Sequence, residues 1–202
     1  FCLFNNVAVA ARHATHELEV ERVLICDWDV HHPNGTEEIF AASDEVLLAS
    51  IHQSPLYPGT GPARYEGDGA GEGYTVNMPV EPGAGSDRFV ALVEHVVAPL
   101  ARAFEPGLIV VSAGFDAHRR DPLASCTVDE RGFAEMAALI RDVARELDVG
   151  VLVCLEGGYD VESLISSSFA MIEAFEGDLR AEPRPAELAE PHRGRVAERW
   201  SL

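Results

Sequence analysis

Four short aliphatic runs set the architecture of this chain: Val23 to Cys26, Val46 to Ile51, Leu108 to Ser112 and Val149 to Leu155. None shows the polar alternation of a strand with one wet face, so each reads as a strand covered on both sides. Helical patterns separate them. Ser86 to Phe104 places Phe89, Leu92, Val93, Val96, Val97, Leu100 and Phe104 on one stripe. After Cys126, Thr127 and Glu130 stand at capping-box spacing ahead of Phe133, Met136, Ile140 and Leu147. A helix after Asn5 and Asn6 and another over Asp160 to Phe175 complete the alternation. The pattern predicts an α/β fold of three layers, a mostly parallel sheet with helices on both faces, forming one domain over 1–176. From Gly177 the composition turns to Pro, Glu and Arg. Residues 177–202 therefore read as a surface tail that ends in a short docked helix near Val196 to Trp200.

With 202 residues and 47% hydrophobic content, such a domain can bury roughly 70% of its extended surface. The charge is lopsided: 34 acids stand against 15 bases, every base is arginine, and the net charge is −19. A nucleic-acid surface needs a basic stripe, and a P-loop needs a lysine, so neither function fits. No apolar run approaches the ~18 residues of a membrane span. The glycines between Gly59 and Gly73 miss dinucleotide-binding spacing, and Glu66, Asp68 and Glu72 would repel phosphate; a flexible rim loop is expected there. Cys2, Cys26, Cys126 and Cys154 lack C-x-x-C spacing, which points to a reduced, cytoplasmic setting. The chain opens on Phe1 inside apolar sequence and reads as the later part of a longer protein.

In open parallel sheets, ligands bind at the carboxyl ends of the strands. The first run ends in Asp27-Trp28-Asp29-Val30-His31-His32, where alternation turns Asp27, Asp29 and His31 to one side. The third ends in Asp116, and the fourth in Leu155-Glu156-Gly157-Gly158-Tyr159. Two carboxylates and an imidazole brought together repel and desolvate one another unless a cation sits among them. Asp29, His31 and Asp116 would give three N/O ligands and an open position, the pattern of a catalytic zinc site. A lone D-x-H is also common without a metal, and an aspartate such as Asp116 can cap a helix. On residue pattern alone, a metal site and a polar strand-end cluster both stay open.

Five motifs occur in order: Phe1-Cys2-Leu3-Phe4-Asn5-Asn6-Val7-Ala8, Asp27 to His32, Tyr57-Pro58-Gly59-Thr60-Gly61, Ser112-Ala113-Gly114-Phe115-Asp116-Ala117-His118, and Leu155 to Tyr159. Together they resemble the histone deacetylase and acetylpolyamine amidohydrolase superfamily, nearest its class II and bacterial members, over roughly residues 1–175. The resemblance implies an arginase/deacetylase-like fold and a hydrolase that removes acetyl groups from lysine-like amines. It implies Zn2+ on Asp29, His31 and Asp116, with Fe2+ or Co2+ as possible substitutes, and Tyr159 as donor to the oxyanion. It further implies a K+ or Na+ ion at Asp27, the Ser50 hydroxyl and the carbonyls of Asp29, His31 and Ile51. A second such ion maps onto Phe40, Ser43, Val46 and Tyr74. Phe1, Tyr57, Leu123 and Gly157 map onto the acyl-lysine tunnel, and the leucine weakens a polyamine preference. Implied partners are an acylated lysine peptide or a small acylated amine.

Three departures accompany the resemblance. The family's general base is one of two adjacent histidines upstream of the Phe-Cys motif, in a segment absent from this sequence. Pro33 stands where glycine is usual, so the loop before Asn34 must bend differently; Asn34 itself fits the residue that orients one of those histidines. Tyr57 replaces a commoner phenylalanine. Among other histidines, His118 is nearest the site and His32 should face inward. His13 and His16, at i and i+3, read as a solvated face, and His52 could line the site. A binuclear manganese ureohydrolase of arginase type would need carboxylates where Pro33 and His118 stand. A non-catalytic metal-binding remnant is the non-enzyme alternative.

Overall fold

The computed structural model describes residues 3–200. Five strands, β1 (Val23–Asp27), β2 (Val46–Gln53), β3 (Thr75–Val80), β4 (Leu108–Ala113) and β5 (Gly150–Leu155), form one parallel sheet in the order β3-β2-β1-β4-β5. Seven helices join or flank them: α1 (Asn6–Glu17), α2 (Asn34–Phe40), α3 (Ser86–Leu92), α4 (Ala98–Phe104), α5 (Glu130–Leu147), α6 (Val161–Glu176) and α7 (His192–Trp200). One π-helical segment, Val93–Val97, joins α3 to α4, so the stripe read over Ser86 to Phe104 is a single helical rod.

Residues of β1, β2 and β4 divide between two apolar clusters, as strands covered on both faces require, whereas β5, read as covered on both sides, is an edge strand with no fully buried residue and with Leu152 and Leu155 exposed. Val23, Ile25, Val46, Leu48 and Val110 pack with Val7, Ala8, Ala11 and Ala14 of α1. Leu24, Cys26, Leu47, Ala49, Ile51, Ile109 and Val111 pack on the other face against α3 to α5. The strand β3 is additional to the four apolar runs, because Asn77 and Pro79 interrupt its pattern. Its edge position tolerates a proline with no N–H to donate, and α7 covers it: His192 Nε2 lies 3.1 Å from the Pro79 carbonyl and Arg195 donates to that of Asn77. Trp200 packs edge-on to Tyr74 and Phe104.

The cap of α5 differs from the capping-box reading. Asp129, not Thr127, is the N-cap, its carboxylate accepting the Gly132 N–H at 2.9 Å and the Ser86 hydroxyl at 2.8 Å. Thr127 is held extended by a bridge to Gly85, which removes it from the helix start. The Gly59–Gly73 segment is likewise more firmly attached than a flexible rim loop would be. Its later half lies on the end of α2 and on α7, with the Asp68 N–H on the Ala41 carbonyl at 2.6 Å and Trp200 donating to Gly73. Only its approach, Tyr57 and Pro58, reaches the cavity described below.

Candidate functional site

The strand register builds the floor of the site. Asp27 pairs with Ser50 of β2 on one side and Ser112 of β4 on the other, and Ser50 pairs with Asn77 of β3. A polar row thus crosses four strands at the carboxyl end of an otherwise apolar sheet. Beyond it the alternation of β1 persists: Trp28 and Val30 enter the apolar core, while Asp27, Asp29 and His31 line a cavity of about 460 Å3. Asn34, Tyr57, Glu156, Gly157 and Tyr159 also line it.

Ligand-type atoms of Asp29, His31 and Asp116 lie within 4.8 Å of one another. His31 Nδ1 is 3.2 Å from Asp29 Oδ1 and 3.0 Å from Asp116 Oδ2. Backbone donors aim the carboxylates: Val30 N–H at Asp116 Oδ1 (2.8 Å), His31 N–H at Asp29 Oδ1 (2.8 Å) and Gly157 N–H at Asp29 Oδ2 (3.0 Å). Glycine is required where the strands close around them. A Cβ on Gly114 would come 2.5 Å from Asp29 Oδ2, and one on Gly157 would come 2.1 Å from Asp116 Oδ2.

Concentrating acids here has an electrostatic cost. Burial, then the neighbouring Asp29 charge, pushes the Asp27 carboxyl well above the carboxylate range. Burial likewise raises Asp116 to about 6, against the hydrogen bond from His31. Burial would lower His31, but its hydrogen bonds to Asp116 and Asp29 raise it to about 9. An imidazole proton shared between two carboxylates occupies the place that a cation would suit, with one nitrogen and two oxygen donors of the right chemistry.

Tyr159 is positioned by Asp121, a residue with no local motif to mark it. Its backbone N–H donates to Asp121 Oδ2 at 2.7 Å, and Asp121 Oδ1 accepts the Leu123 N–H at 2.9 Å. Only the chain reversal after Asp116 brings Asp121 there; its Asp-Pro step is a turn signal, not a site signal. Glu156, next to the glycine pair, also faces the cavity. Leu123 is itself half exposed and lies apart from the cavity lining.

Other sequence candidates fall as follows. Phe1 lies outside the described residues. Pro33 takes an ordinary proline φ of −79° and opens α2, its carbonyl accepting the Glu37 N–H. Ser50 donates to or accepts from His52 Nδ1 at 2.9 Å, and Ile51 is core. Phe40 ends α2, Ser43 follows it with its N–H on the Phe40 carbonyl, Val46 opens β2 and Tyr74 precedes β3. His118 is buried away from the cavity, accepting the Arg120 N–H at 3.1 Å with Glu130 3.4 Å from its Nε2. His32 turns inward and its partners are Thr60 and Glu37. His13 and His16 sit exposed on α1. Among the described residues no helix is long and apolar enough to cross a membrane.

Comparison with known proteins gives this arrangement a family. The family model described as the histone deacetylase domain matches residues 1–175. The chain is 46% identical over 179 residues to "Histone deacetylase 10, chloroplastic" of Oryza sativa subsp. japonica, covering 88% of this chain and 40% of the rice protein. It is 42% identical over 188 residues to a "Probable deacetylase" of Archaeoglobus fulgidus, covering 92% and 52%. The crystal structure of the HDA15 HD domain superposes with a TM-score of 0.88 at 39% identity, over all of this chain and 57% of that one. The chain thus spans about half the length of these relatives. The strand-end acids, the glycine pair and the parallel sheet that carries them belong to a member of the histone deacetylase family.

Proposed function

We propose that the site is the core of a metal-dependent amidohydrolase that removes acetyl or another small acyl group from lysine-like amines. The observation that carries this reading is the convergence of Asp29, His31 and Asp116 beneath a cavity walled by Tyr57 and Tyr159. The donor set of one imidazole and two carboxylates would fit Zn2+, and Fe2+ or Co2+ would fit the same atoms. A bound ion would supply Lewis acidity toward the amide carbonyl and toward water.

The chain's own residues hold and orient. The N–H groups of Val30, His31 and Gly157 keep the ligand carboxylates aimed. Tyr159 is assigned to donate its hydroxyl to the developing oxyanion, a contribution of about 10²–10³ in rate for one such donor. Asp27, Ser50 and the carbonyls around Ile51 suit a K+ or Na+ ion, and the Phe40, Ser43, Val46 and Tyr74 region a second. Of the imidazoles on the cavity, His31 is shared by two carboxylates and His32 is held by Thr60 and Glu37. Neither is placed as a general base, a role worth about 10²–10⁴, so low turnover is expected of this chain by itself. A second-metal site has no support, since Pro33 has no donor side chain and His118 faces Glu130.

Metal analysis combined with acetyl-lysine amide hydrolysis tests the reading. About one divalent metal per chain is expected, and Tyr159→Phe should keep the metal while losing about 10²–10³ of kcat in the active protein. Two manganese ions per chain with urea released from a guanidino substrate would overturn it.

A further inference from the structure

Beneath the loop that carries Tyr57 runs a chain of polar side chains that the proposed chemistry does not use: His32, His52 and Asn77 are buried, Glu37 is part-buried, and Thr60 closes the chain at the surface. Glu37 of α2 accepts from Asn77 Nδ2 at 2.6 Å and from His32 Nε2 at 3.0 Å. A carboxylate only accepts, so Nε2 is the protonated nitrogen of His32; in the neutral ring this leaves Nδ1 to accept the Thr60 hydroxyl, 2.8 Å away. Beside it, His52 Nε2 lies 3.0 Å from the Gly61 carbonyl, with Nδ1 at 2.9 Å from the Ser50 hydroxyl. The two imidazoles pack edge-on at 4.8 Å.

The loop backbone rests directly on these rings. Gly61 has φ +82°, and a Cβ there would lie 2.3 Å from the His32 ring and 2.6 Å from His52 Nε2. Asn77 donates to Glu37 while its own Oδ1 is buried without a hydrogen-bond partner among the described residues. Leaving a buried acceptor unpaired is costly, so the amide is retained for its donor. Burial would raise the Glu37 carboxyl, but the bonds from His32 and Asn77 hold it below its usual range, keeping it an acceptor. The network therefore joins β3, α2, the segment between β1 and α2 one residue beyond the proposed ligand His31, and the loop.

We propose that the Asn77–Glu37–His32–Thr60 chain is a positioning device that fixes the loop 54–61, and with it Tyr57, over the metal-ligand end of the sheet. It thereby sets which acyl group the cavity accepts. The positional part stands on geometry alone; the substrate part rests on the amidohydrolase reading.

Thr60→Val removes the hydroxyl at nearly constant volume, and Thr60→Ser keeps it. The Gly59 amide, bonded to the Leu56 carbonyl at 2.8 Å, reports loop opening by hydrogen exchange. Losing the tether should speed its exchange by about five- to tenfold, with Ser restoring protection. Glu37→Gln, which keeps an acceptor but not the charge, should fall between, and it serves if the valine variant folds poorly. In the active protein, Thr60→Val should raise KM for acetyl-lysine several-fold, change kcat by less than about twofold, and narrow the preference for acetyl over bulkier acyl groups. Unchanged Gly59 exchange in both Thr60→Val and Glu37→Gln overturns the proposal, as does a fall in kcat with KM fixed. If exchange responds and Ser restores it, yet the wild-type active protein hydrolyses no acylated amine, the tether stands and the amidohydrolase reading fails.

Discussion

Gly157→Ala isolates the geometry of the ligand cluster from everything else in the fold. Gly157 is not among the residues with positive φ, so alanine meets no backbone penalty there. The cost comes entirely from the added methyl, which would sit 2.1 Å from Asp116 Oδ2 and 2.6 Å from Asp29 Oδ2. Ordinary contact needs a further ångström or so, about twice the ~0.5 Å tolerance of a working site. Neither carboxylate can yield freely. Asp116 is fully buried and pinned by the Val30 N–H, and Asp29 is held by the N–H of Gly157 itself. Two of the three proposed metal donors must therefore move, and Zn2+ affinity should drop by about 10–100-fold, the usual cost of disturbing ligand orientation. Competition titration with a chromophoric chelator measures the affinity, and far-ultraviolet circular dichroism checks the fold. An intact fold with Zn2+ affinity within about threefold of wild type, below that range, would refute the assignment of these carboxylates as ligands.

Three further outcomes follow from residues away from the ligands. Asp121→Ala removes the acceptor for both the Tyr159 and Leu123 N–H groups; kcat should fall about tenfold or more while metal content stays unchanged, and loss of the metal instead would contradict the positioning role. Glu135 is fully buried between Arg184, at 2.6 Å, and Arg131, at 3.0 Å. Arg184 also pairs with Asp87 at 2.6 Å, so Glu135→Ala removes one of its two carboxylate partners and should cost about 1.5 kcal/mol, lowering the thermal midpoint by about 3–6 °C; a shift under about 1 °C would disprove this anchoring of the tail. His192 is pushed down to about 4, first by burial and then against its hydrogen bond to the Pro79 carbonyl, with Arg195 and Arg88 also opposing its charge and Glu190 favouring it. Its folded pKa lies below the unfolded one, so its contribution is complete above pH 6.5 and is lost as pH falls toward 4. The loss is up to about 3 kcal/mol, and denaturant titrations across that window should show a shallower slope in His192→Gln. His52, depressed to about 4 chiefly by burial, leaves a residual slope in that variant.

How much the sequence disclosed depended on whether the signal was local. The apolar runs located β1, β2 and β4 because a strand buried on both faces needs no partner to be recognised, and β5 through the same apolar pattern although it is an exposed edge strand. β3 escaped, since its edge position, which permits Pro79 and Asn77, is a property of the assembled sheet. The convergence of Asp29, His31 and Asp116 was legible because alternation along β1 is local and the strand-end rule brings Asp116 to the same edge. Asp121 and Thr60 were not. Each acts through one hydrogen bond to a residue 28 or 38 positions away, and nothing in its neighbours marks that contact. The exchange of Thr127 for Asp129 at the start of α5 has the same cause: capping spacing was satisfied locally, but the bridge to Gly85 decided which residue stayed extended.

The polar row beneath the site explains why part of the −19 charge lies where it is costly. Asp27 is almost completely buried and stands between two serines that can hydrogen-bond but cannot neutralise it. An apolar residue there would serve the sheet better, because an uncompensated buried carboxylate is destabilising unless it protonates or pairs. The Asp29 charge makes this worse, for it raises Asp27, Asp116 and Glu156 together. Mutual repulsion among acids at one sheet edge would be relieved by cations held among them, so the proposed ions would gain affinity from it. The acids near the cavity thus have a different role from those on the surface. Under the proposed function the surface charge would bias the approach of basic substrates and weaken with salt, whereas the buried carboxylates would set the strength with which a metal is held.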